Sequence, residues 1–195
     1  MNYGDLKTLM KKYLGNKVNS REFENLFFDI PIFRQPHLHK CVTKINEYPE
    51  FNDYLEEYLK ICDNVNEIDN FGCTALHIIF LIPYCAAIEK TVKILIFAGV
   101  NIDLQNNNGN TALHLACIYN YVYNYVPDYD PGHNNLNEII NTLILANANV
   151  FDLKNKRNKT PYDCMSWTLK NYLQIDKENK TIGIKLGKMT KAAKK

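Results

Sequence analysis

A nine-residue pattern occurs twice, as Gly72-Cys73-Thr74-Ala75-Leu76-His77-Ile78-Ile79-Phe80 and as Gly109-Asn110-Thr111-Ala112-Leu113-His114-Leu115-Ala116-Cys117. Worn copies flank both, at Gln35 to Val42 and at Asn158 to Asp163. A pattern that returns every few tens of residues restricts the chain to an array of like units, each of which buries its apolar face only against its neighbours. Each copy also has a local reading. Its glycine supplies the positive φ that a tight turn needs, and its threonine caps the coming helix by accepting a hydrogen bond from an orphan N–H, worth about 1 kcal/mol.

With the elements that follow them, these copies resemble the ankyrin repeat, whose signature Gly-x-Thr-Pro-Leu-His precedes a small apolar inner helix, an outer helix and a Gly-Ala-Asp/Asn-Val finger. Ala98-Gly99-Val100-Asn101-Ile102 matches that finger, Asn64-Val65-Asn66 is a shorter version, and Asn147-Ala148-Asn149-Val150 puts Asn where Gly is usual. Asparagine is the commonest substitute in the left-handed region. The resemblance implies an all-α solenoid of about four repeats, with His77 and His114 each bonded to the backbone of the neighbouring turn. Thr74 and Thr111 lie 37 residues apart and Thr111 and Thr160 lie 49 apart, against a period of about 33. The extra residues fall around Pro83 and between Asn120 and Leu136.

The expected organisation is a helical cap over 1–34, repeats at about 35–66, 67–103, 104–152 and 153–175, and a disordered basic tail over 176–195. Leu6, Leu9, Met10, Tyr13 and Leu14 form one helical stripe of the cap, and Phe23, Leu26, Phe27 and Ile30 another. In the first worn copy Pro36 reads as the helix start, with one residue inserted before Leu38-His39. Phe51 to Ile61 reads as its outer helix. In the last copy Thr160 caps and Pro161 opens the helix, while Tyr162 replaces Leu and Asp163 replaces His, as suits a terminal repeat with no following finger to pin. Its helix is expected to end near Ile175.

Composition narrows the function. None of the 195 residues forms a run apolar enough to span a bilayer, and the start lacks the apolar run and cleavage site of a secretory signal, so an intracellular, cytoplasmic protein is expected. The net charge of +2 is too small to point to nucleic acid. Six cysteines contain no C-x-x-C pair, and Cys41, Cys117 and Cys164 recur at positions where the repeat puts small residues. His37, His39 and Cys41 have the alternate spacing of a metal clip but coincide with the worn motif, so they read as structural. There is no Gly-rich phosphate loop, no H-E-x-x-H and no Gly-x-Ser-x-Gly, so neither an enzyme nor a cofactor is expected. The 26 asparagines, beside abundant Lys, Ile, Tyr and Phe, share A/T-rich codons. Such a bias occurs in large DNA viruses of the mimivirus kind, some intracellular bacteria and protozoa.

The family binds other proteins through finger tips and two variable inner-helix positions. Carried over, the latter are Leu81 and Ile82, Ile118 and Tyr119, and Trp167 and Thr168, which are either contact residues or simply the edge of the core. Tyr119 and Trp167 are the expected anchors, because aromatic side chains bury large rigid area. The finger-tip positions are Asn70 and Phe71, Asn107 and Asn108, and Lys156, Arg157 and Lys159. The last group is a basic edge that suits an acidic partner or is merely solvated. The stretch Tyr119 to Tyr129, with Tyr121 and Tyr123, is read as an extension of the inner helix to about Val126 or an irregular loop rather than a β-ribbon. The resemblance thus implies a monomeric, non-catalytic module that binds another protein, an effector or host-interaction protein, with no small-molecule substrate and no membrane. The tail shows no likeness to the F-box-like segment of poxviral ankyrin proteins. The rival reading is an architectural or nucleic-acid-associated module acting through Lys185, Lys188, Lys191, Lys194 and Lys195.

Overall fold

The computed structural model describes residues 36–45, 48–49, 51–82, 85–123, 135–178 and 180–183. The two helices expected before residue 35, the tyrosine-rich stretch beyond Tyr123 and the lysine-rich segment from 184 lie outside the described residues.

The described chain is mostly helical. Its elements are α1 (His37–Lys44), α2 (Phe51–Leu59), α3 (Ala75–Ile78), α4 (Ala87–Phe97), α5 (Ala112–Tyr123), α6 (Asn135–Leu145), α7 (Pro161–Cys164), α8 (Trp167–Tyr172) and strands β1 (Ile175–Asp176) and β2 (Thr181–Ile182). Two rows emerge from their packing. In one row α1 touches α3, α3 touches α5 and α5 touches α7; in the other α2 touches α4 and α4 touches α6. α1 against α2 and α5 against α6 join the rows.

The second row follows from sequence period. Phe51, Tyr54, Leu55 and Tyr58 on α2, Ile88, Thr91, Val92 and Leu95 on α4, and Leu136, Ile139, Ile140 and Leu143 on α6 are all buried. Spacings of three and four put each set on one helical stripe. α4 and α6 end alike. Val100 N–H reaches the Leu95 carbonyl (3.2 Å) and Ala148 N–H that of Leu143 (3.0 Å), past Gly99 at φ 82° and Asn147 at φ 68°. The expected left-handed role of Asn147 is thus met. α3 is far shorter than its partner α4, and the outer helix from Phe51 stops at Leu59 rather than Ile61.

Three expectations need correction. Pro36 (φ −53°, ψ 146°) is the residue before α1, so it occupies the place of Thr74 and no residue is inserted before Leu38-His39. The helix expected from Thr160 to Ile175 is broken at Met165, which is extended (ψ 139°), because the Ser166 side chain accepts from Leu169 N–H and starts α8 afresh. β1 and β2 pair as an antiparallel hairpin, with Ile175 opposite Ile182 and Asp176 opposite Thr181, where the start of a disordered tail was expected. The helical reading of the tyrosine-rich stretch holds through Tyr123, the last described residue of α5. No helix among the described residues is long and apolar enough to cross a membrane.

Candidate functional site

Three five-residue turns link the rows, and they share one construction. Asp69, Asn106 and Asn155 open them, each accepting two backbone N–H groups on Oδ1: from Phe71 and Cys73 (2.8 and 2.9 Å), from Asn108 and Asn110 (3.0 Å each), and from Arg157 and Lys159 (2.9 and 3.1 Å). The fourth residue has positive φ: Gly72 at 71°, Gly109 at 73° and Asn158 at 57°. Side-chain acceptors and a left-handed residue together close such a turn without a strand partner.

The turns stack as fingers. Asn107 N–H donates to the Phe71 carbonyl and Lys156 N–H to the Asn108 carbonyl, both at 2.9 Å. Asn66 Oδ1 accepts from Asn101 N–H (2.7 Å) and Asp103 Oδ1 from Asn149 N–H (2.8 Å). Glycine is required twice over. A Cβ on Gly72 would lie 2.6 Å from Asn107 Oδ1, and one on Gly109 3.0 Å from Asn155 Cα and Lys156 N.

Behind the fingers, the histidines pin one unit to the next as the resemblance implied. His77 Nδ1 accepts from Thr74 N–H (3.1 Å), so its other nitrogen carries the proton and donates to the Asn110 carbonyl (2.9 Å). His114 repeats this with Thr111 N–H (3.1 Å) and the Lys159 carbonyl (2.9 Å). His39 Nε2 reaches the Cys73 carbonyl at 2.7 Å, but Pro36 offers neither an N–H nor a hydroxyl, and His39 Nδ1 is buried with no partner. The would-be metal clip divides accordingly: His39 points to Cys73, while His37 Nε2 lies 2.7 Å from the Tyr54 hydroxyl and 3.4 Å from Cys41 Sγ. Burial pushes the thiols of Cys41 and Cys117 far up, which keeps them protonated and inert.

The motif's Thr, His and Cys are therefore consumed internally, and what faces solvent is what varies between copies. Phe71 is 68% exposed on the first finger, Leu81 59% after α3, Ile118 39% on α5 and Trp167 77% at the start of α8. Trp167 thus leads a separate helix rather than continuing the inner one. Ile82 and Tyr119 are half-buried against the core, and the Tyr119 hydroxyl donates to the Ile82 carbonyl (3.3 Å), so these two are brought together. Asn107 is exposed but uses its side-chain amide on the Asn70 carbonyl (3.0 Å) of the preceding finger. Asn108, Lys156, Arg157 and Lys159 are exposed. Tyr121 and Tyr123 fall on the last turn of α5.

One surface feature went unpredicted. A groove of about 660 Å³ lies between α2 and α4, lined by the apolar Leu59, Ile94, Phe97 and Ala98 and by the charged Glu56, Lys60, Lys90 and Lys93. Phe97 is 96% exposed there. The signal was the apolar run Ile94 to Phe97, four residues wide, which one helical stripe cannot bury entirely.

The described residues thus define a mostly helical array of units joined by like finger turns and histidine pins. No family model and no curated protein matches the chain. Among solved structures it is similar to the ankyrin repeat domain of Bcl-3, described as a unique member of the IkappaB protein family, at 22% identity and a TM-score of 0.49. The match covers 69% of this chain and 48% of that one, so the chain spans about half of that domain's length.

Proposed function

We propose that the chain is a non-catalytic protein-binding module, an ankyrin-repeat solenoid of about four repeats over 35–175 with a helical cap over 1–34. The partner is another protein, which meets Leu81, Ile82, Ile118, Tyr119 and Trp167 together with the finger tips at Phe71, Asn107 and Asn108; Tyr121 and Tyr123, later in the same helix, are included as candidate contacts. The observation that carries the reading is the division of labour within each unit. The recurring Thr and His close the scaffold, while large apolar side chains at the varying positions stand in water, where leaving them uncovered serves no folding purpose. The asparagine-rich composition motivates placing such a module in a host-interacting protein of a large DNA virus. Affinity capture with Leu81→Ser, Ile118→Ser and Trp167→Ala chains tests the surface. Each substitution should deplete captured protein while leaving the thermal midpoint within about 2 °C, because exposed side chains contribute little to stability. Unchanged capture by all three would reject this face. Tyr119 is better tested as Tyr119→Phe, which removes the bond to Ile82 and keeps the ring.

A further inference from the structure

The three fingers are alike in their turns and differ in charge, the first and third being opposite. The first, 63–73, carries Asp63, Glu67 and Asp69 and no cation, and it exposes Ile68 and Phe71. The second, 101–110, carries only Asp103, whose Oδ1 is already bonded to Asn149 N–H. The third, 149–159, exposes Lys154, Lys156, Arg157 and Lys159. Its one acid, Asp152, is paired with Lys180. Among the described residues those four cations make no ion pair, although Lys60, Lys90, Lys93, Lys177 and Lys180 all do.

The frame under the four cations is rigid. Asn155 holds the turn through Arg157 and Lys159 N–H, its own Nδ2 donates to Asn110 Oδ1 (2.8 Å), and Gln105 Nε2 ties Lys154 O to the second finger (3.0 Å). Unpaired charge on a hydrogen-bonded backbone keeps its potential directed at an incoming partner and loses little backbone freedom on binding, although the long side chains are ordered then. Charge complementarity of this kind sets register and encounter rate.

We propose that the finger row docks a protein segment of reversed polarity, acidic where it meets the third finger and basic, with an adjoining apolar side chain, where it meets the first. The proposal rests on the protein-binding reading above and names the chemistry of the partner. Packed helices step by 8–10 Å, so two steps separate the outer fingers by roughly 20 Å, a span of about six extended residues. The acidic and basic groups of the segment therefore sit about six residues apart. A nucleic acid fits less well. Its uniform negative charge gains at the third finger and is repelled by Glu67 and Asp63 at the first.

The test is fluorescence anisotropy of the full chain with three labelled probes: a peptide with glutamates and lysines at the stated separation, an all-acidic peptide of the same length, and a DNA duplex. The bipolar peptide should bind tightest. A Lys156→Glu/Arg157→Glu chain should weaken it by about tenfold, and Glu67→Lys should weaken it by about threefold while tightening the all-acidic peptide. All these side chains are exposed, and unchanged circular dichroism confirms that the variants fold. Equal or tighter binding of the duplex, no binding of the bipolar peptide at low salt, or an equal effect of Glu67→Lys on both peptides would overturn the proposal. Capture separates its failure from that of the binding module: a captured protein that depends on Leu81 and Ile118 but not on Lys156 and Arg157 leaves the module standing and removes the polarity.

Discussion

Interior junctions and the C-terminal end satisfy the same polar groups by different chemistry. At the His77 and His114 junctions one imidazole works in both directions, taking the N–H of its own threonine on Nδ1 and donating from Nε2 to the next unit. At the end Asp163 stands in its place. Its carboxylate accepts from Thr160 N–H (3.1 Å) and Oγ1–H (3.0 Å), which reproduces the inward half, but it has no proton to send onward. Lys177 reaches its other oxygen at 3.3 Å. Asp152, at the place where Asn66 and Asp103 bond the next finger, pairs with Lys180. Asn158 carries a side chain where Gly72 and Gly109 are crowded by a following finger. The ammonium groups of Lys170 and Lys177 lie over the Tyr162 ring, 4.3 and 5.0 Å from its centroid. The hairpin thus meets Asp163 and Asp152 through exposed ion pairs, beside the packing of Ile175 and Ile182 against the core, where the interior units use histidine hydrogen bonds. Such pairs are worth far less, so the C-terminal unit should open first.

Acid should separate the two regions most widely. Burial holds His37, His39, His77 and His114 below their ordinary 6.5, His37 at about 4. The unfolded chain takes up these protons near 6.5 and the folded chain does not, so the stability is whole above 6.5 and is lost as pH falls below it. His37 alone implies a loss on the order of 2 kcal/mol by about pH 5. Asp163 is displaced the other way, chiefly by the Thr160 N–H, which holds its carboxyl below 3.8. Its contribution is present above 3.8 and disappears only as pH falls through the lower folded value. Urea midpoints at about pH 7 and about pH 5 should therefore drop equally in the native chain and in Asp163→Asn. A smaller drop in Asp163→Asn would break the contrast.

Direct removal of each group is the next largest effect. His114→Ala strands the Thr111 N–H and the Lys159 carbonyl and should cost about 3 kcal/mol in urea unfolding. Asp163→Ala removes a partly exposed cap and should cost about 1 kcal/mol. Equal losses would mean that the terminal cap is as deeply coupled as an interior pin.

How far this was legible depends on how local each cause is. The side-chain caps at Thr111 and Thr160, the left-handed Asn147 and the pinning role of His77 and His114 follow from spacings of a few residues, and the structure shows them; Thr74 takes the same place before its helix, with its hydroxyl on His77 Nδ1 (2.9 Å). Pro36 was misplaced by one position because proline suits the first helical residue as well as the residue before it. The break at Met165 hung on whether Ser166 caps a new helix or lies inside an old one, which packing decides. The hairpin has strands too short to show a period, and its lysines look like solvated tail until their partners, 14 and 28 residues earlier, are known. On the candidate surface, Phe71, Leu81, Ile118 and Trp167 are exposed as a contact site needs, whereas Asn107 and Tyr119 also hold neighbouring units together.

The smallest predicted effects ask what the hairpin contributes. Lys180 and Asp152 are each about three-fifths exposed, so Lys180→Ala should cost under about 0.5 kcal/mol. Lys177→Ala also uncovers the Tyr162 ring and should cost about 0.5–1 kcal/mol, shrinking in high salt. If both lysines prove silent, the hairpin acts through Ile175 and Ile182, which pack against the core, and Ile182→Ser should then lower the thermal midpoint more than either lysine change. A silent Ile182→Ser beside a costly Lys177→Ala would instead make charge the covering agent, and the end of the array would differ from its interior in kind as well as in strength.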